Sequence, residues 1–510
     1  MKRRTHIKIL RNLFNRRCFI VLLILAQILF FVLMLERMAW TIWLRNLLSV
    51  FGIVTALHLL MRPDKSAFKL SLIFVILLFP VFGGVFYWIF HSQAATITFR
   101  SRLDRVKART DPAFVPLDQK TAAFGVLPES QKLLRYLKST SPFPVCSNTE
   151  TAYFASGKDM LSSLLRDLQS AERYIFLEYF IIEDGMMWQS ILDVLRERRE
   201  SGVDVRIIYD DLGCFFTLPP NYERRLAEYG IPCEKFNRFH PFLTSTQNNR
   251  DHRKIAVIDG KIAYTGGINL ADEYIGEKIK FGHWKDSALR LCGDGAWSFT
   301  VMFLQMWSFL RGVEEQIEDF RPESTDAKSD GWVQPYCHGP TDREPIGEQV
   351  YLHIIEQAKE YLYITTPYLM VDDNMISQLQ TAAKCGVDVR IITPEIPDKK
   401  TVHFTTRSYY RPLISAGVRI YEYKSGFMHA KSFVSDDVVA TVGTTNLDFR
   451  SLYLHFECGV CLYRTETVPD VKNDFLTTLA ECKEITRADC KVGPLKKFWQ
   501  SICRIFAPLM

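Results

Sequence analysis

The sequence predicts an α/β protein in which two similar layered domains follow an apolar N-terminal region. Three observations indicate this class: long apolar stretches within the first 90 residues, an internal repeat from about residue 130 onward, and alternating amphipathic and apolar segments inside each copy of the repeat. Helices that alternate with apolar strands are typical of a sheet covered by helices on both faces. We therefore expect transmembrane helices followed by two tandem α/β/α domains that form a pseudo-twofold pair.

Three apolar stretches account for most of the N-terminal region. They are Cys18–Leu35, Asn46–Met61 and Leu70–Phe90, of eighteen, sixteen and twenty-one residues. At about 1.5 Å per residue the first and third can cross a hydrocarbon core of about 30 Å, whereas the second could either cross or lie in the interface. A cleaved signal peptide is the alternative for the first stretch, but no small-residue cleavage site follows it. We expect a multi-pass protein of the cell membrane.

The side of the membrane on which the large domain lies depends on the number of crossings. The basic N-terminus is expected in the cytoplasm. Two crossings would then leave the large domain in the cytoplasm, and three would leave it outside. The basic residues between positions 100 and 109 favour the cytoplasmic side without deciding the matter.

The net charge of the chain is concentrated at its N-terminus. The 510 residues include 63 Lys and Arg and 57 Asp and Glu, a formal charge of +6, and residues 1–17 alone carry seven basic residues and no acidic one. The rest of the chain is therefore at −1, since +6 less +7 leaves −1. A nucleic-acid-binding domain normally carries a basic face of its own. We expect no nucleic-acid partner.

An internal repeat organises the chain beyond residue 130. Residues 171–177 (AERYIFL) resemble residues 358–364 (AKEYLYI), and GVDVRII at 202–208 recurs unchanged at 386–392. The order of these segments is kept and their offset falls from 187 to 184 residues, as expected if the second copy has shorter loops. Chance similarity would not keep successive segments in register.

Each copy predicts an amphipathic helix followed by a largely apolar strand. These segments are Met160–Ser170 and Ile175–Ile182 in the first copy, and Glu348–Ala358 and Leu362–Tyr368 in the second. The polar stretch Arg321–Pro345 is the predicted join between the copies. The predicted domains are an N-terminal membrane region (residues 1–95), two layered α/β domains (residues 130–320 and 332–490) and a C-terminal helix (residues 493–510).

Each copy also contains the same polar motif, His-x-Lys-x4-Asp-x6-Gly-[Gly/Thr]-x-Asn. Its polar residues are His252, Lys254, Asp259 and Asn269 in the first copy and His429, Lys431, Asp436 and Asn446 in the second. The residues between His and Asp predict a strand in both copies. Residues i and i+2 of a strand point to the same face, so each lysine lies beside its histidine. Each copy therefore supplies half of a site.

Two such half-sites, face to face, suit the exchange of a phosphodiester. One histidine attacks phosphorus to form a phosphohistidine, while the other, protonated, donates to the departing alkoxide and later takes the proton of the incoming alcohol. Lys254, Lys431, Asn269 and Asn446 would stabilise the added negative charge without a metal or other cofactor. Buried histidines with satisfied hydrogen bonds are the alternative, but they would not explain the paired Lys, Asp and Asn.

The cysteines do not predict a metal site. The twelve cysteines show no zinc-ligand spacing, and Cys458-x-x-Cys461 falls in a predicted strand. Positions i and i+3 of a strand point to opposite faces, so these two are expected to be ordinary buried thiols rather than a redox or metal pair.

The duplicated motif resembles that of the phospholipase D superfamily, over about residues 130–490. The resemblance implies phospholipase D-type domains, with His252 as the nucleophile and His429 as the acid and base, although the residues alone do not order the two. It also implies a carboxylate behind each histidine, at the positions of Asp286 and Glu457; ordinary surface or strand-end acids are the alternative for these. Asp259 and Asp436 belong to the motif and stand among the catalytic candidates, with a structural role favoured for both.

The motif alone leaves the substrate open, because the superfamily includes lipid transferases, phospholipases and nucleases. The surroundings of both motifs (NRDHRK with TGGIN, and GFMHAK with VGTTNLD) are similar to those of bacterial cardiolipin synthases. This resemblance implies transfer of a phosphatidyl group from one phosphatidylglycerol to another, with cardiolipin and glycerol as products. A hydrolytic phospholipase D, another phosphatidyltransferase, a membrane-anchored nuclease and a non-catalytic membrane scaffold are the alternatives. The oligomeric state is left open.

The C-terminal residues 493–510 predict an amphipathic helix. Leu495, Phe498, Trp499 and Ile502 fall on one side of it, with Lys and Arg beside them. This pattern is typical of a helix that lies in the membrane interface. A helix packed on the protein core is the alternative.

Overall fold

The structure is a computed structural model. It describes residues 29, 42–62, 65–79, 83–90, 93–117, 125, 127–140, 142–239, 245–323, 327–328 and 331–510. The described residues fall into two compact units. The first is Met1–Phe99 with Arg238–Asn248 and Leu509, and the second is Arg100–Asn237 with Asn249–Pro508 and Met510.

The first unit contains helices α1 (Ile42–Met61), α2 (Ser66–Leu78) and α3 (Gly83–Phe90), and helix α4 (Gln93–Thr110) begins in it. Leu59, Ile76 and Tyr87, one from each of the first three helices, form a small buried cluster. Within the described parts of the chain, no helix combines the length and the apolarity needed to cross a membrane.

The predicted transmembrane segments are therefore not confirmed. The first, Cys18–Leu35, lies outside the described residues apart from Leu29. The third, expected as one continuous helix, is divided between α2 and α3. Phe79, with φ −123° and ψ 68°, is not helical. It precedes Pro80, and a proline disfavours the helical conformation of the residue before it.

The second unit contains both copies of the repeat. Among its described residues, the first copy contributes nine strands and five α-helices. The strands are β1 (Thr149–Phe154), β2 (Tyr174–Tyr179), β3 (Asp204–Asp210), β4 (Cys233–Phe236), β5 (Arg250–Asp251), β6 (Lys254–Ile258), β7 (Ile262–Gly266), β8 (His283–Lys285) and β9 (Ala288–Gly293). The helices are α5 (Gln131–Thr140), α6 (Gly157–Gln169), α7 (Met186–Glu200), α8 (Tyr222–Glu228) and α9 (Asp294–Arg311).

The second copy has the same plan. Its strands are β10 (Trp332–His338), β11 (Tyr361–Thr365), β12 (Asp388–Pro394), β13 (Arg419–Tyr423), β14 (Gly426–Met428), β15 (Ser432–Ser435), β16 (Val439–Gly443), β17 (His455–Tyr463) and β18 (Cys482–Ile485). Its helices are α10 (Ile346–Gln357), α11 (Asp373–Lys384), α12 (Lys400–Ser415), α13 (Phe449–Tyr453) and α14 (Thr467–Leu479), and the chain ends with α15 (Pro494–Phe506).

The two sheets have equivalent strand orders, which confirms the repeat. The first sheet has the order β1-β9-β7-β6-β2-β3-β4, and the second has the order β10-β17-β16-β15-β11-β12-β13, with β18 added at its edge. In each sheet the GVDVRII strand pairs in parallel with the apolar strand before it, Tyr174 opposite Asp204 in the first and Tyr361 opposite Asp388 in the second. The mixed α/β fold with a two-part repeat is therefore as predicted.

The predicted join between the copies contains a strand, which begins at residue 332, where the second domain was predicted to begin. The stretch Arg321–Pro345 was expected to be a connection, but it contains β10, which pairs with β17 over its whole length. Pro335 within β10 has no N–H to donate. Because β10 lies at the edge of its sheet, a proline is tolerated there.

Candidate active site

The two copies hold each other's histidines by a pair of short strand contacts. β5, directly before His252, pairs in parallel with the beginning of β17, and the N–H of His252 donates to the carbonyl oxygen of Phe456 at 2.9 Å. β14, directly before His429, pairs in parallel with β8, and the N–H of His429 donates to the carbonyl oxygen of Lys285 at 2.7 Å. Each histidine backbone is thus fixed by the other copy.

The carboxylate that contacts each histidine also comes from the opposite copy. Nδ1 of His252 lies 2.9 Å from Oε2 of Glu457, and Nδ1 of His429 lies 2.6 Å from Oδ2 of Asp286. With Nδ1 donating to a carboxylate, the other nitrogen, Nε2, is available to a substrate. The positions inferred by resemblance thus contact the histidines, each backing the histidine of the opposite copy.

The second residue of the Gly-[Gly/Thr] pair in each motif contacts one of these carboxylates. A Cβ on Gly267 would lie 2.0 Å from Oδ1 of Asp286, so glycine leaves room for the acid. At the equivalent position of the second copy, Thr444 donates its hydroxyl hydrogen to Oε2 of Glu457. The departure from glycine in the second motif therefore adds a hydrogen bond to the longer acid.

Both lysines lie beside their histidines, as the strand periodicity predicts. Nζ of Lys254 donates to the carbonyl oxygen of His252 at 2.6 Å, and Nζ of Lys431 donates to the carbonyl oxygen of His429. Nζ of Lys431 also lies 2.8 Å from Nδ1 of His429. Because that nitrogen donates to Asp286, we assign the lysine hydrogen bond to the carbonyl oxygen. All four side chains are buried.

Burial lowers the pKa of both motif histidines and both motif lysines, and repulsion from neighbouring positive charges adds to the shift in His252, His429 and Lys254. Burial lowers the pKa of His252 well below its usual range, and the charges of Lys254, Lys431 and His429 add to the effect. Burial and Lys431 lower the pKa of His429 to about 4, although Asp286 opposes the shift. Burial lowers the pKa of Lys254 to about 7 and that of Lys431 to about 8. Groups of both copies therefore act on one another in a single site.

The two motif asparagines differ in their partners. Asn269 donates from Nδ2 to the Tyr274 hydroxyl at 2.6 Å, and its Oδ1 accepts from the N–H of Ile181 at 3.1 Å. Oδ1 of Asn446 is buried and has no hydrogen-bond partner among the described residues. A phosphate oxygen only accepts, so Asn269 could bind it only if its Nδ2 exchanged the contact with Tyr274. Oδ1 of Asn446 is itself an acceptor, so it suits the hydroxyl of an alcohol rather than a phosphate oxygen.

Asp259 and Asp436 support the sheets rather than the reacting atoms. The Asp259 carboxylate accepts from the N–H groups of Glu172, Arg173 and Tyr174 at 2.7–2.8 Å. Asp436 accepts from residues 359, 360 and 361 at 2.8–3.0 Å in the same manner. Asp259 follows β6 whereas His252 precedes it, so the strand separates them. The geometry supports the structural role.

Two residues of the site were not predicted from the sequence. They are His455 and Trp284, each two positions before a carboxylate that contacts a histidine. The ring of His455 lies 5.5 Å from that of His252, and the ring of Trp284 lies 5.5 Å from that of His429. Nδ1 of His455 also lies 3.7 Å from Oε1 of Glu457. The available signal was strand periodicity, since a residue at i−2 shares the face of the carboxylate.

One group of side chains in the described part of the chain has the spacing of a metal site. Ligand atoms of His252, His455 and Glu457 lie within 4.8 Å of one another. However, burial lowers the pKa of His455, and the positive charges of Arg450 and Lys254 add to this shift. These charges would oppose a cation in the same way. Metal-independent chemistry therefore stays our prediction.

Comparison with known proteins identifies a family. A family model described as "Cardiolipin synthase, PLD-like domain" matches residues 164–278 and 351–479. A cardiolipin synthase of Geobacillus kaustophilus is 32% identical over 483 residues, which cover 92% of this chain and 95% of that protein. An uncharacterized protein of Streptococcus mutans is 42% identical over 461 residues, 89% of this chain and 99% of its own length.

A solved structure shares the fold. The match to the crystal structure of phosphatidylserine synthase from Haemophilus influenzae covers 75% of this chain and 98% of that protein's chain. The TM-score is 0.57 and the sequence identity is 16%. The duplicated fold and the crossed histidine–carboxylate pairs define a member of the phospholipase D superfamily. Within it, the chain belongs to the cardiolipin synthase family, as the motifs predicted.

Proposed function

We propose that this protein is a membrane-bound phosphatidyltransferase that makes cardiolipin and glycerol from two molecules of phosphatidylglycerol. The observation that carries the proposal is the pair of crossed histidine–carboxylate contacts, His252 with Glu457 and His429 with Asp286. Two imidazoles with available Nε2 atoms, each beside a lysine, supply a nucleophile, an acid and the positive charge that a phosphodiester requires.

The proposed reaction has two steps at phosphorus. Nε2 of His252 attacks the phosphorus of the first phosphatidylglycerol, and the P–O bond to glycerol breaks while His429 gives its proton to the leaving oxygen. His429 then takes the proton from the terminal hydroxyl of the second phosphatidylglycerol. That oxygen displaces His252 from phosphorus, which restores both histidines and leaves cardiolipin.

We propose that His429 takes up the proton that it donates from solvent when the anionic substrate binds. The pKa of His429 is lowered to about 4 by burial and by Lys431, so the imidazole is neutral in the empty site at neutral pH. A phosphodiester anion beside the ring would raise this pKa, because an opposite charge favours the protonated form. Lys254 and Lys431 would stabilise the equatorial oxygens of the five-coordinate phosphorus.

The membrane attachment belongs to the proposal as well. The apolar stretches of the N-terminal region and the exposed apolar residues of α15, Leu495, Phe498 and Trp499, support it. A catalytic site at the bilayer surface has a high local concentration of acceptor hydroxyls. This favours transfer over hydrolysis.

Incubation of the pure protein with phosphatidylglycerol as the only lipid tests the proposal. We expect cardiolipin and glycerol in equal amounts, with phosphatidic acid as a minor product. Phosphatidic acid as the main product would assign the site to a hydrolytic phospholipase D. Cleavage of DNA or RNA by wild-type protein but not by His252→Ala, without cardiolipin formation, would assign it to a nuclease.

A further inference from the structure

A basic pocket lies outside the catalytic site, between α12 and α15. It has a volume of about 270 Å³ and is lined by four basic side chains, those of Lys400, Arg407, Lys491 and Lys496. Its one acidic side chain, Asp489, forms an ion pair with Lys483 at 3.1 Å. The pocket therefore has a strong excess of positive charge.

Among the residues that the structure describes, three of these four cations have no acidic partner. Arg407 lies 3.4 Å from Glu422. Within the described parts of the chain, Lys400, Lys491 and Lys496 form no ion pair. Cations that converge on a pocket without carboxylates to neutralise them favour binding of an anion.

Helix α15 turns its apolar side away from the protein. Its polar side faces α12, where Nε2 of Gln500 donates to the carbonyl oxygen of Phe404 at 3.4 Å and the Arg504 guanidinium lies 4.4 Å from the ring centre of Tyr409. Leu495, Phe498 and Trp499 are 71%, 58% and 53% exposed. A helix with large exposed apolar side chains next to basic ones is typical of a membrane interface.

We propose that this pocket binds the phosphate of an anionic phospholipid while Leu495, Phe498 and Trp499 insert among the acyl chains of the same bilayer. The pocket and the apolar side chains share one helix, since Lys496 lines the pocket and Leu495 is exposed beside it. A free phosphate would use the cations alone, whereas a lipid uses both. The site is separate from the catalytic histidines and does not rest on the proposed reaction.

The pocket lies at the helix start that borders the catalytic site. Lys400 begins α12, and the preceding residue, Lys399, has its ammonium 5.7 Å from the ring centre of Tyr368. The charge of Lys399 also contributes to the low pKa of His455. A lipid bound at Lys400 would therefore hold this part of the catalytic domain at the bilayer surface.

Quenching of tryptophan fluorescence by brominated lipids tests the proposal. The full chain carries His252→Ala, which prevents turnover, and is held in detergent micelles doped with brominated phosphatidylglycerol or brominated phosphatidylcholine. Comparison with Trp499→Phe in the same background isolates the emission of Trp499. We expect this emission to be quenched at lower mole fractions of phosphatidylglycerol than of phosphatidylcholine.

Matched charge variants assign the preference to the pocket. Lys491→Glu with Lys496→Glu is expected to weaken the binding of phosphatidylglycerol on the order of fivefold or more for each lysine. The control, Lys158→Glu with Lys384→Glu, makes the same change in net charge at exposed lysines of the same unit and should keep the preference. Lys491→Gln with Lys496→Gln, with an unchanged unfolding temperature, separates lost binding from lost folding.

Three outcomes would overturn the proposal. Equal quenching by the two lipids in the His252→Ala chain would show that the pocket does not select an anion. A preference that survives unchanged in the Lys491/Lys496 variants would place the selecting site elsewhere. Loss of the preference on addition of millimolar inorganic phosphate would make the pocket a site for free phosphate. Failure of cardiolipin formation would leave these binding results unaffected.

Discussion

At the scale of single residues, the two catalytic histidines are related by the repeat but differ in their surroundings. His252 shares Glu457 with a second imidazole, His455, whereas the equivalent neighbour of His429 is Trp284. His455 accepts a hydrogen bond at Nε2 from the Arg450 guanidinium at 3.4 Å. The pseudo-twofold relation therefore does not make the two half-sites chemically identical.

Each histidine is expected to be indispensable, because each half-site supplies one and neither can act as nucleophile and acid together. We predict that His252→Ala and His429→Ala each lower kcat by at least about a thousandfold, and that the double variant is hardly worse. His353→Ala, in α10, is a matched control with expected wild-type activity. Retention of more than about a tenth of the wild-type rate by either single variant would contradict a shared site.

The low pKa values of the lysines predict an alkaline limit on catalysis. Burial lowers the pKa of Lys254 to about 7 and that of Lys431 to about 8. The reaction needs their positive charges, which are present below these values and lost as the pH rises through them. Because His429 must also gain a proton, kcat/KM, which reports ionisations of the free enzyme, already falls with rising pH below 7. We expect the fall to become steeper as the pH rises from 7 past 8, where the lysine charges are lost.

Substitution by arginine tests the assignment of this limit. Lys254→Arg keeps its charge at all accessible pH values. The variant is expected to be slower, but its profile should lose the lower of the two alkaline steps. A wild-type profile that stays flat well above pH 8, or an alkaline limb unchanged in Lys254→Arg, would exclude this role.

Removal of metal ions tests whether His252, His455 and Glu457 hold a metal that catalysis needs. Since Lys254 and Arg450 place positive charge beside it, we expect activity in EDTA to equal that without EDTA at constant lipid surface charge. Measurement in neutral detergent micelles avoids effects of the chelator on anionic bilayers. Loss of activity that one divalent ion restores would refute the metal-free mechanism.

The reacting residues are easier to predict from the sequence than the residues that hold them in position. His252 and Lys254 share a strand face because of a local periodicity, so their proximity follows from the sequence alone. The contact of His252 with Glu457 spans 205 residues and depends on how the copies are joined. His455 lies two residues before an acid in a strand, a position that carries no chemical signature until His252 lies beside it.

At the scale of elements, the turns after β6 and β15 are stabilised by one aspartate each. Asp259, with φ 52°, occupies the left-handed region and accepts three backbone N–H groups. Asp436, with φ 55°, does the same in the second copy. Asp and Asn adopt this conformation more readily than other non-glycine residues, because their short polar side chains bond locally.

Asp259 is therefore expected to affect stability rather than chemistry. We predict that Asp259→Ala lowers the free energy of unfolding by about 3 kcal/mol. Three backbone N–H groups lose a charged acceptor, and alanine tolerates the positive φ at this position less well than aspartate does. Asp259→Asn, which keeps an acceptor and tolerates positive φ, should lose about half as much. Thermal unfolding in detergent measures both effects.

The control for this prediction is turnover per folded molecule. It should stay within about twofold of wild type in both variants, since the β6 strand separates Asp259 from His252. A hundredfold lower kcat with an unchanged unfolding temperature would return Asp259 to the catalytic residues.

The predicted strands and helices agree with the structure where periodicity is strong and fail where a strand is short or at an edge. β2 and β11 were recognised because they are largely apolar runs. β10 was missed because Pro335 and its polar neighbours resemble a connection, and only its position beside β17 makes it a strand. β5 and β8, of two and three residues, exist only through their partners in the other copy.

At the scale of the whole molecule, the crossed strands make the two copies depend on each other. Neither copy contains a histidine with its own carboxylate, since Glu457 backs His252 and Asp286 backs His429. The carbonyl oxygens that fix the histidine backbones are exchanged too. Duplication has thus produced one site between two sheets rather than two sites.

The last prediction concerns what resolves the phosphohistidine. Transfer to a second phosphatidylglycerol keeps the number of phosphodiester bonds constant, so its equilibrium constant should lie near unity. Added glycerol should then inhibit cardiolipin formation and convert added cardiolipin back to phosphatidylglycerol through the same two histidines. Hydrolysis would lack this response, because release of phosphatidic acid into excess water is effectively irreversible.

The reverse reaction can be measured with labelled glycerol. Protein incubated with cardiolipin and labelled glycerol should incorporate the label into phosphatidylglycerol, and His252→Ala should incorporate none. The local concentration of lipid hydroxyls at the bilayer favours the lipid acceptor in the forward direction, because a positioned acceptor has already lost most of its translational freedom. Phosphatidic acid as the dominant product in intact bilayers, with no incorporation of glycerol, would show that water reaches the phosphohistidine first and that the enzyme is a hydrolase.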